Sequence, residues 1–248
     1  AGAFIARNSI IADEFNRDRA NTTADVVSAF GDTQSWGTME SDNSGCTFST
    51  VDDAVNGIFR LNASALTGCL AAPTSQTAND ISSILDADNL PVIIMKVQPS
   101  NMSNTDHHVY VGMADDTDGT ISAPTNFIGF HAVGAASPVW EGMTISASTA
   151  TTVTCTGVEA ATSTASWLMV EVRSNTDVHF FVDNNTSNGI STTECGSGSS
   201  TNIPTVALAP ELIYQSRLLF GVASSLDVDF YRAWQDDSIA IGKDQLGA

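Results

Sequence analysis

The run Asp115-Asp116-Thr117-Asp118-Gly119 is the densest gathering of metal-seeking oxygens in the chain. Asp115, Asp116 and Asp118 could supply some of the six to eight oxygen ligands that calcium takes on a loop. The downstream Glu of an EF-hand is missing, so that motif is excluded. The competing reading is an acidic β-turn without an ion. Asp86, Asp88 and Asn89 form a second acidic turn open to the same two readings. Calcium is the one cofactor the sequence suggests, and nothing in it requires one.

Other chemistry is sparse. Two carboxylates held close on one face can cleave a glycosidic bond, but no Glu-x-Asp-x-x-Glu run occurs, and Glu171 and Glu141 lie apart in Glu-Val-Arg and Trp-Glu-Gly. There is no G-x-S-x-G elbow. The four histidines are not expected to cluster, because His107 and His108 are adjacent on a strand and point to opposite faces. These absences point away from an enzyme. For recognition, Trp140 beside Glu141 offers an aromatic and a polar group of the kind a glycan site uses, with Trp36 and Tyr110 as alternatives. Against this stands the commoner fate of large aromatics, burial in a core or interface.

The cysteines are Cys46, Cys69, Cys155 and Cys195, with no C-x-x-C pair, which argues against zinc-ribbon and thioredoxin chemistry. Of three possible pairings, local context favours Cys46–Cys69, flanking an apparent hairpin, and Cys155–Cys195, bracketing residues 151–194. Cys195 sits in a Gly- and Ser-rich stretch, an unexpected place for a buried free thiol. Paired cysteines imply an oxidising compartment, outside a cell or on a virion. Five N-x-[ST] sequons stand at Asn21, Asn62, Asn101, Asn184 and Asn185 and are candidate glycosylation sites.

These residues need a scaffold, and composition bounds it. Of 248 residues, 42% are hydrophobic, enough for a sizeable core, whereas only 15% are charged against roughly a quarter in ordinary soluble proteins. Ser, Thr, Asn and Gly fill the difference, as on extracellular surfaces. Twenty-eight acidic and nine basic residues give a net charge of −19, which repels nucleic acid and anionic lipid. No stretch approaches the ~20 apolar residues of a membrane span, so direct membrane insertion is not expected.

Strand signals dominate from Trp36 onward. Strands are predicted at 46–49, 57–61, 91–97, 107–113, 126–131, 139–145, 151–158, 167–173, 177–183, 217–222 and 226–234. In the runs 167–173 and 226–234 the alternation is clear: Leu168, Val170 and Val172 share a face, 167–173 and 177–183 form a hairpin, and Leu226, Val228 and Phe230 share a face. Many short strands with polar turns predict an all-β, antiparallel β-sandwich.

Several motifs carry a resemblance. His107-His-Val-Tyr-Val-Gly-Met followed by Asp118-Gly, the hairpin Trp167–Asp183, Asn202-Ile-Pro-Thr, Leu226–Trp234 and the opening Ile11-Ala-Asp-Glu-Phe-Asn-Arg resemble the strands of concanavalin A-like, laminin-G-type jelly rolls. Domains of this type occur in phage appendage proteins and in surface proteins of candidate-phylum bacteria. The chain departs from the pattern after Asp183, where Asn184-Asn185 replaces the usual glycine, a change that the left-handed tolerance of Asn accommodates. The resemblance implies a jelly roll over 12–235, with a short N-terminal extension over 1–11 and a polar tail over 236–248.

The apolar extension, with Phe4, Ile5, Ile10 and Ile11, needs a partner to bury it. It either adds to the sheet edge of a neighbouring copy or folds back on its own domain. The leading expectation is therefore a non-enzymatic extracellular structural protein, a homo-oligomeric or polymeric building block of a filament, fibre or virion appendage. The alternative is a lectin-like adhesion module that binds cell-surface glycans.

Overall fold

The computed structural model describes residues 8–13, 39–41, 46–50, 58–63, 69–71, 85–102, 107–115, 123–160, 164–183, 193–216 and 224–235. In chain order its strands are β1 (Asn8–Asp13), β2 (Met39–Ser41), β3 (Cys46–Thr50), β4 (Phe59–Ala63), β5 (Cys69–Ala71), β6 (Val92–Pro99), β7 (His107–Ala114), β8 (Phe127–Val133), β9 (Val139–Ser146), β10 (Thr149–Glu159), β11 (Ser166–Ser174), β12 (Asp177–Asp183), β13 (Thr193–Glu194), β14 (Ala209–Ser216) and β15 (Ser224–Gln235). They form two antiparallel sheets packed as a sandwich. One runs β13-β12-β11-β6-β15-β4-β3, with β1 also on β15, and the other runs β10-β9-β8-β7-β14-β5-β2.

Ten of the predicted strands form within two residues of their expected bounds; the run 217–222 lies outside the described residues. Strand β14 was not anticipated, because Pro210 and Glu211 break its apolar pattern and proline normally demotes a run from strand. The supposed hairpin between the Cys46 and Cys69 segments is corrected. Strand β3 pairs with β4, and β5 pairs with β14 and β2 in the opposite sheet. The side chains of Cys46 and Cys69 lie outside what the structure describes.

Strand β1 pairs antiparallel with β15 of its own chain, with Ile11 opposite Ala233. Of the two arrangements expected for the extension, this single chain shows the fold-back one: Ile11 pairs with Ala233, and Ile10 lies at the register shift between Ser9 and Ile11. Phe4 and Ile5 lie outside the described residues. Strand β1 also runs through residues 11 and 12, where the extension was expected to end.

Alternation sets which face of each strand is buried. Along β11, Leu168, Val170 and Val172 are buried and stand in register with Val182, Phe180 and Val178 on β12. In β15 a register shift between Val228 and Phe230 interrupts the expected row. After it, Tyr231 and Ala233 occupy the core, because a bulge residue flips the faces of all that follow.

The sheets are joined by aromatic rings. Phe130 on β8 meets Trp140 on β9 and Phe180 on β12 edge to face, at centroid distances of 6.4 and 5.6 Å. Gly142 makes room for this packing, since a Cβ there would lie 2.3 Å from the Phe180 ring. Tyr231 donates to the Gly112 carbonyl across the sandwich at 2.9 Å. A disulfide, Cys155–Cys195, ties the edge strand β10 to the segment after β13 and so staples the two sheets along one side. Such a bridge contributes on the order of 3 kcal/mol.

Two buried phenols make the core sensitive to alkali. Tyr214 donates to the Ser100 carbonyl at 2.9 Å, and burial pushes its phenol up to about 12. Burial pushes Tyr231 well up too, with the negative charge of Glu211 adding to the effect. The unfolded chain ionises these groups near 10. The stability they contribute is therefore complete below pH 10 and is lost as pH rises through about 12 for Tyr214. We expect Tyr214→Phe to cost about 1 kcal/mol at pH 7 through the lost hydrogen bond and to flatten the loss of stability above pH 10. Urea unfolding at stepped alkaline pH reads both effects.

Candidate functional site

The outer faces of the two sheets differ sharply. On the seven-stranded sheet, Tyr110, Ala114, Phe127, Met143, Ile145 and Ile213 form a second apolar cluster and are all buried. His131 stacks on Tyr110 at 4.5 Å, and its Nε2 lies 3.2 Å from Nδ1 of His108. The expectation that the histidines stay apart is corrected here. His107 does face the other way, towards Tyr214, but residues 23 apart in sequence meet across β7 and β8. Glu141 Oε2 lies 3.8 Å from His131 Nδ1, and His131 holds the Glu141 carboxyl below its ordinary range. The pair is a hydrogen-bonded imidazole couple in a covered face. Among the described residues no three His, Cys, Asp or Glu side chains are grouped to hold a metal.

The outer face of the eight-stranded sheet is different. Trp167 and Phe181 are half-buried on β11 and β12, and Trp234 is half-buried on β15. Polar groups stand between them. Lys96 lies 5.7 Å from the centre of the Trp167 ring and also pairs with Asp229. Arg60 makes two 2.6 Å bonds to Asp227. Arg173 bonds Glu171 at 2.9–3.0 Å and reaches His179, which also contacts Asp177 and Glu194. The register explains the collection. Trp167 stands opposite Lys96 and Asp183, and Met169 stands opposite Ile94 and Phe181. Each is the outward member of a strand whose neighbours in sequence are core.

The residues singled out from sequence are placed otherwise. Trp140 is fully buried, and its Nε1 donates to Ser166 Oγ at 2.9 Å, so it is a core residue and not a platform. Glu141, its neighbour on the strand, faces the opposite side, as adjacent strand residues must. Tyr110 is buried under its own cluster, and Trp36 lies outside the described residues. Asp115 accepts from both the backbone N–H and the side-chain amide of Asn126, so both its oxygens are engaged in closing the turn that follows β7. Asp116 and Asp118 lie outside the described residues. Asp86 caps the short turn Ala87–Asn89 by accepting from the Asp88 N–H. Of the sequons, Asn101 is exposed in a left-handed turn and Asn62 lies within β4 between Thr47 and Ser225. Asn21, Asn184 and Asn185 lie outside the described residues.

Comparison with known proteins places the fold among jelly-roll β-sandwiches. No protein-family description matches the chain, and no curated protein is significantly similar in sequence. Among solved structures, it is similar to domain 4 of AbnA, an extracellular arabinanase of Geobacillus stearothermophilus, in complex with arabinotriose. The TM-score is 0.53 at 14% identity, covering 93% of each chain. It is also similar to the binding domain of botulinum neurotoxin DC in complex with rat synaptotagmin II, with a TM-score of 0.51 at 7% identity, covering 96% of this chain and 52% of that one. A xylan β-1,4-xylosidase of Bacillus halodurans matches at a TM-score of 0.47 and 11% identity, and the chain spans 78% of its own length but only 35% of that enzyme. At these identities the likeness is one of fold.

The role of Asp115 is open to a direct test. Removing a charged acceptor from a backbone N–H costs about 1.5–3 kcal/mol. We expect Asp115→Ala to lower stability by that amount in chelator and in calcium alike, as thermal melts in the two buffers would register.

Proposed function

We propose that the chain is a non-catalytic, extracellular carbohydrate-binding module whose ligand lies on the outer face of the eight-stranded sheet. One observation carries this reading: Trp167, Phe181 and Trp234 stand half-open on a single face, with hydrogen-bonding side chains between them. Sugars present both apolar C–H faces and hydroxyls, and a surface of spaced aromatics and fixed polar groups meets both. Ion pairs hold the polar groups in position, so the face is organised before a ligand arrives. Among the described residues the opposite sheet offers no such surface, because its described aromatics are buried.

Other features support the same reading. Domain 4 of AbnA shares the fold over nearly its whole length and is seen with arabinotriose. The Cys155–Cys195 disulfide suits an oxidising compartment. Glu171 is engaged by Arg173 and stands opposite Val92 and His179 rather than a second carboxylate, which supports binding without hydrolysis. Strand β1 pairs within its own chain, which gives the filament reading no support.

The test is a glycan array followed by titration calorimetry on the best neutral oligosaccharide, with arabinotriose as first probe. We expect saturable binding by the intact chain and a loss of tenfold or more in Trp167→Ala, at an unchanged melting transition. An array without a single saturable ligand would overturn the reading, as would a Trp167→Ala variant that binds as tightly as the parent.

A further inference from the structure

The basic residues of this acidic chain are not scattered. All four Lys and Arg among the described residues, Arg60, Lys96, Arg173 and Arg232, lie on the outer face of the eight-stranded sheet. Three are neutralised by a carboxylate on the same face: Arg60 by Asp227, Lys96 by Asp229 and Arg173 by Glu171. Arg232 differs. It is exposed, its cross-strand neighbours are Ile94 and Ala12, neither of them charged, and its guanidinium lies 5.6 Å from the centre of the Trp234 ring. An arginine held against an indole keeps its planar fork ordered and its outer donors turned to solvent.

Resting on the carbohydrate reading above, we infer that the Arg232–Trp234 pair is a subsite for a carboxylated sugar, a uronic-acid type residue within the bound oligosaccharide. The guanidinium fork matches a carboxylate in a bidentate, charge-assisted arrangement, while the indole offers the ring an apolar floor. Trp167 lies on β11, two strands from β15, about 10 Å across the sheet. The two positions therefore address different residues of one oligosaccharide, with Arg232 reading charge and Trp167 stacking. A net charge of −19 repels anions at a distance, so an acidic sugar gains at this face only through a local partner. Among the described residues, Arg232 is the cation whose charge no described carboxylate answers.

A matched pair of ligands tests this. An oligogalacturonide and the same oligosaccharide with its carboxyls reduced differ only in the group Arg232 would read. Titrations belong in about 0.15 M salt, where the screening length is about 8 Å and the distant negative charges are muted. We expect the parent chain to bind the acidic form about tenfold more tightly than the reduced form. Arg232→Gln should bring that ratio to about one, and Arg232→Lys should restore part of it, while Trp167→Ala should weaken both ligands. Equal affinity for the two forms in the parent chain, or a ratio unchanged by Arg232→Gln, would overturn the subsite and leave the carbohydrate reading standing. Binding of neither form, with no other glycan bound on the array, would overturn both.

Discussion

The contact between Phe180 and Gly142 governs much of this molecule. Phe180 points inward from β12, and its ring sits where a side chain on β9 would be. Phe130 then closes edge-on against it, and Trp140 against Phe130. Four residues from three strands thus join the two sheets. Any larger residue at position 142 must displace an aromatic ring, and overpacking of this kind costs roughly 1–3 kcal/mol. The same contact orients β12. With Phe180 committed inward, alternation sends His179 and Phe181 outward beside Glu171 and Met169, and the outer face inherits its arrangement from the core.

That face is available because the two sheets are unequal outside. The seven-stranded sheet is apolar on both sides: Val111 and Phe130 face the sandwich, and Phe127 and Ile213 are buried on its far side. A sheet buried on both faces offers support and no access. The eight-stranded sheet buries one face only, so its strands show the hydrophobic-in, polar-out alternation of a half-solvated antiparallel sheet. Ion pairs between neighbouring strands complete its outer surface. Being partly exposed they add little stability each, and their more telling effect is to fix where side chains stand.

How far the sequence foretold this follows from the range of the interactions involved. The β11–β12 hairpin was legible because alternation, a short turn and β-rich composition all act locally. The sandwich was legible from the same signals repeated along the chain. The bulge in β15 was not, since nothing in Leu-Asp-Val-Asp-Phe-Tyr-Arg announces an extra residue, and beyond the shift the buried row continues with Tyr231. Strand β14 was hidden by Pro210 and by Glu211, a carboxylate buried on a sheet face. The His108–His131 contact depends on which strands become neighbours, and composition does not supply that. The misplacement of Trp140 and Glu141 had a remedy in hand: adjacent residues on one strand cannot share a face, so the two could never have formed one site. The same rule applied to Trp167, Met169 and Glu171 would have drawn attention to the face that the structure presents.

Charge adds the last constraint. With 28 acidic residues against nine basic ones, the surroundings of any basic side chain tend to neutralise it, and for Arg60, Lys96 and Arg173 they do. Neutral sugars are indifferent to the overall field, so most of a carbohydrate-binding face can tolerate ion pairs that cancel locally and serve only as rigid hydrogen-bonding groups. Discrimination by charge is a different demand, because it needs a cation left unspent. In the subsite we propose, Trp234 holds the Arg232 guanidinium through its π-face, an interaction that orders the fork without cancelling its charge. A carboxylate in place of that indole would anchor the arginine equally well and abolish its ability to distinguish an acidic sugar from a neutral one.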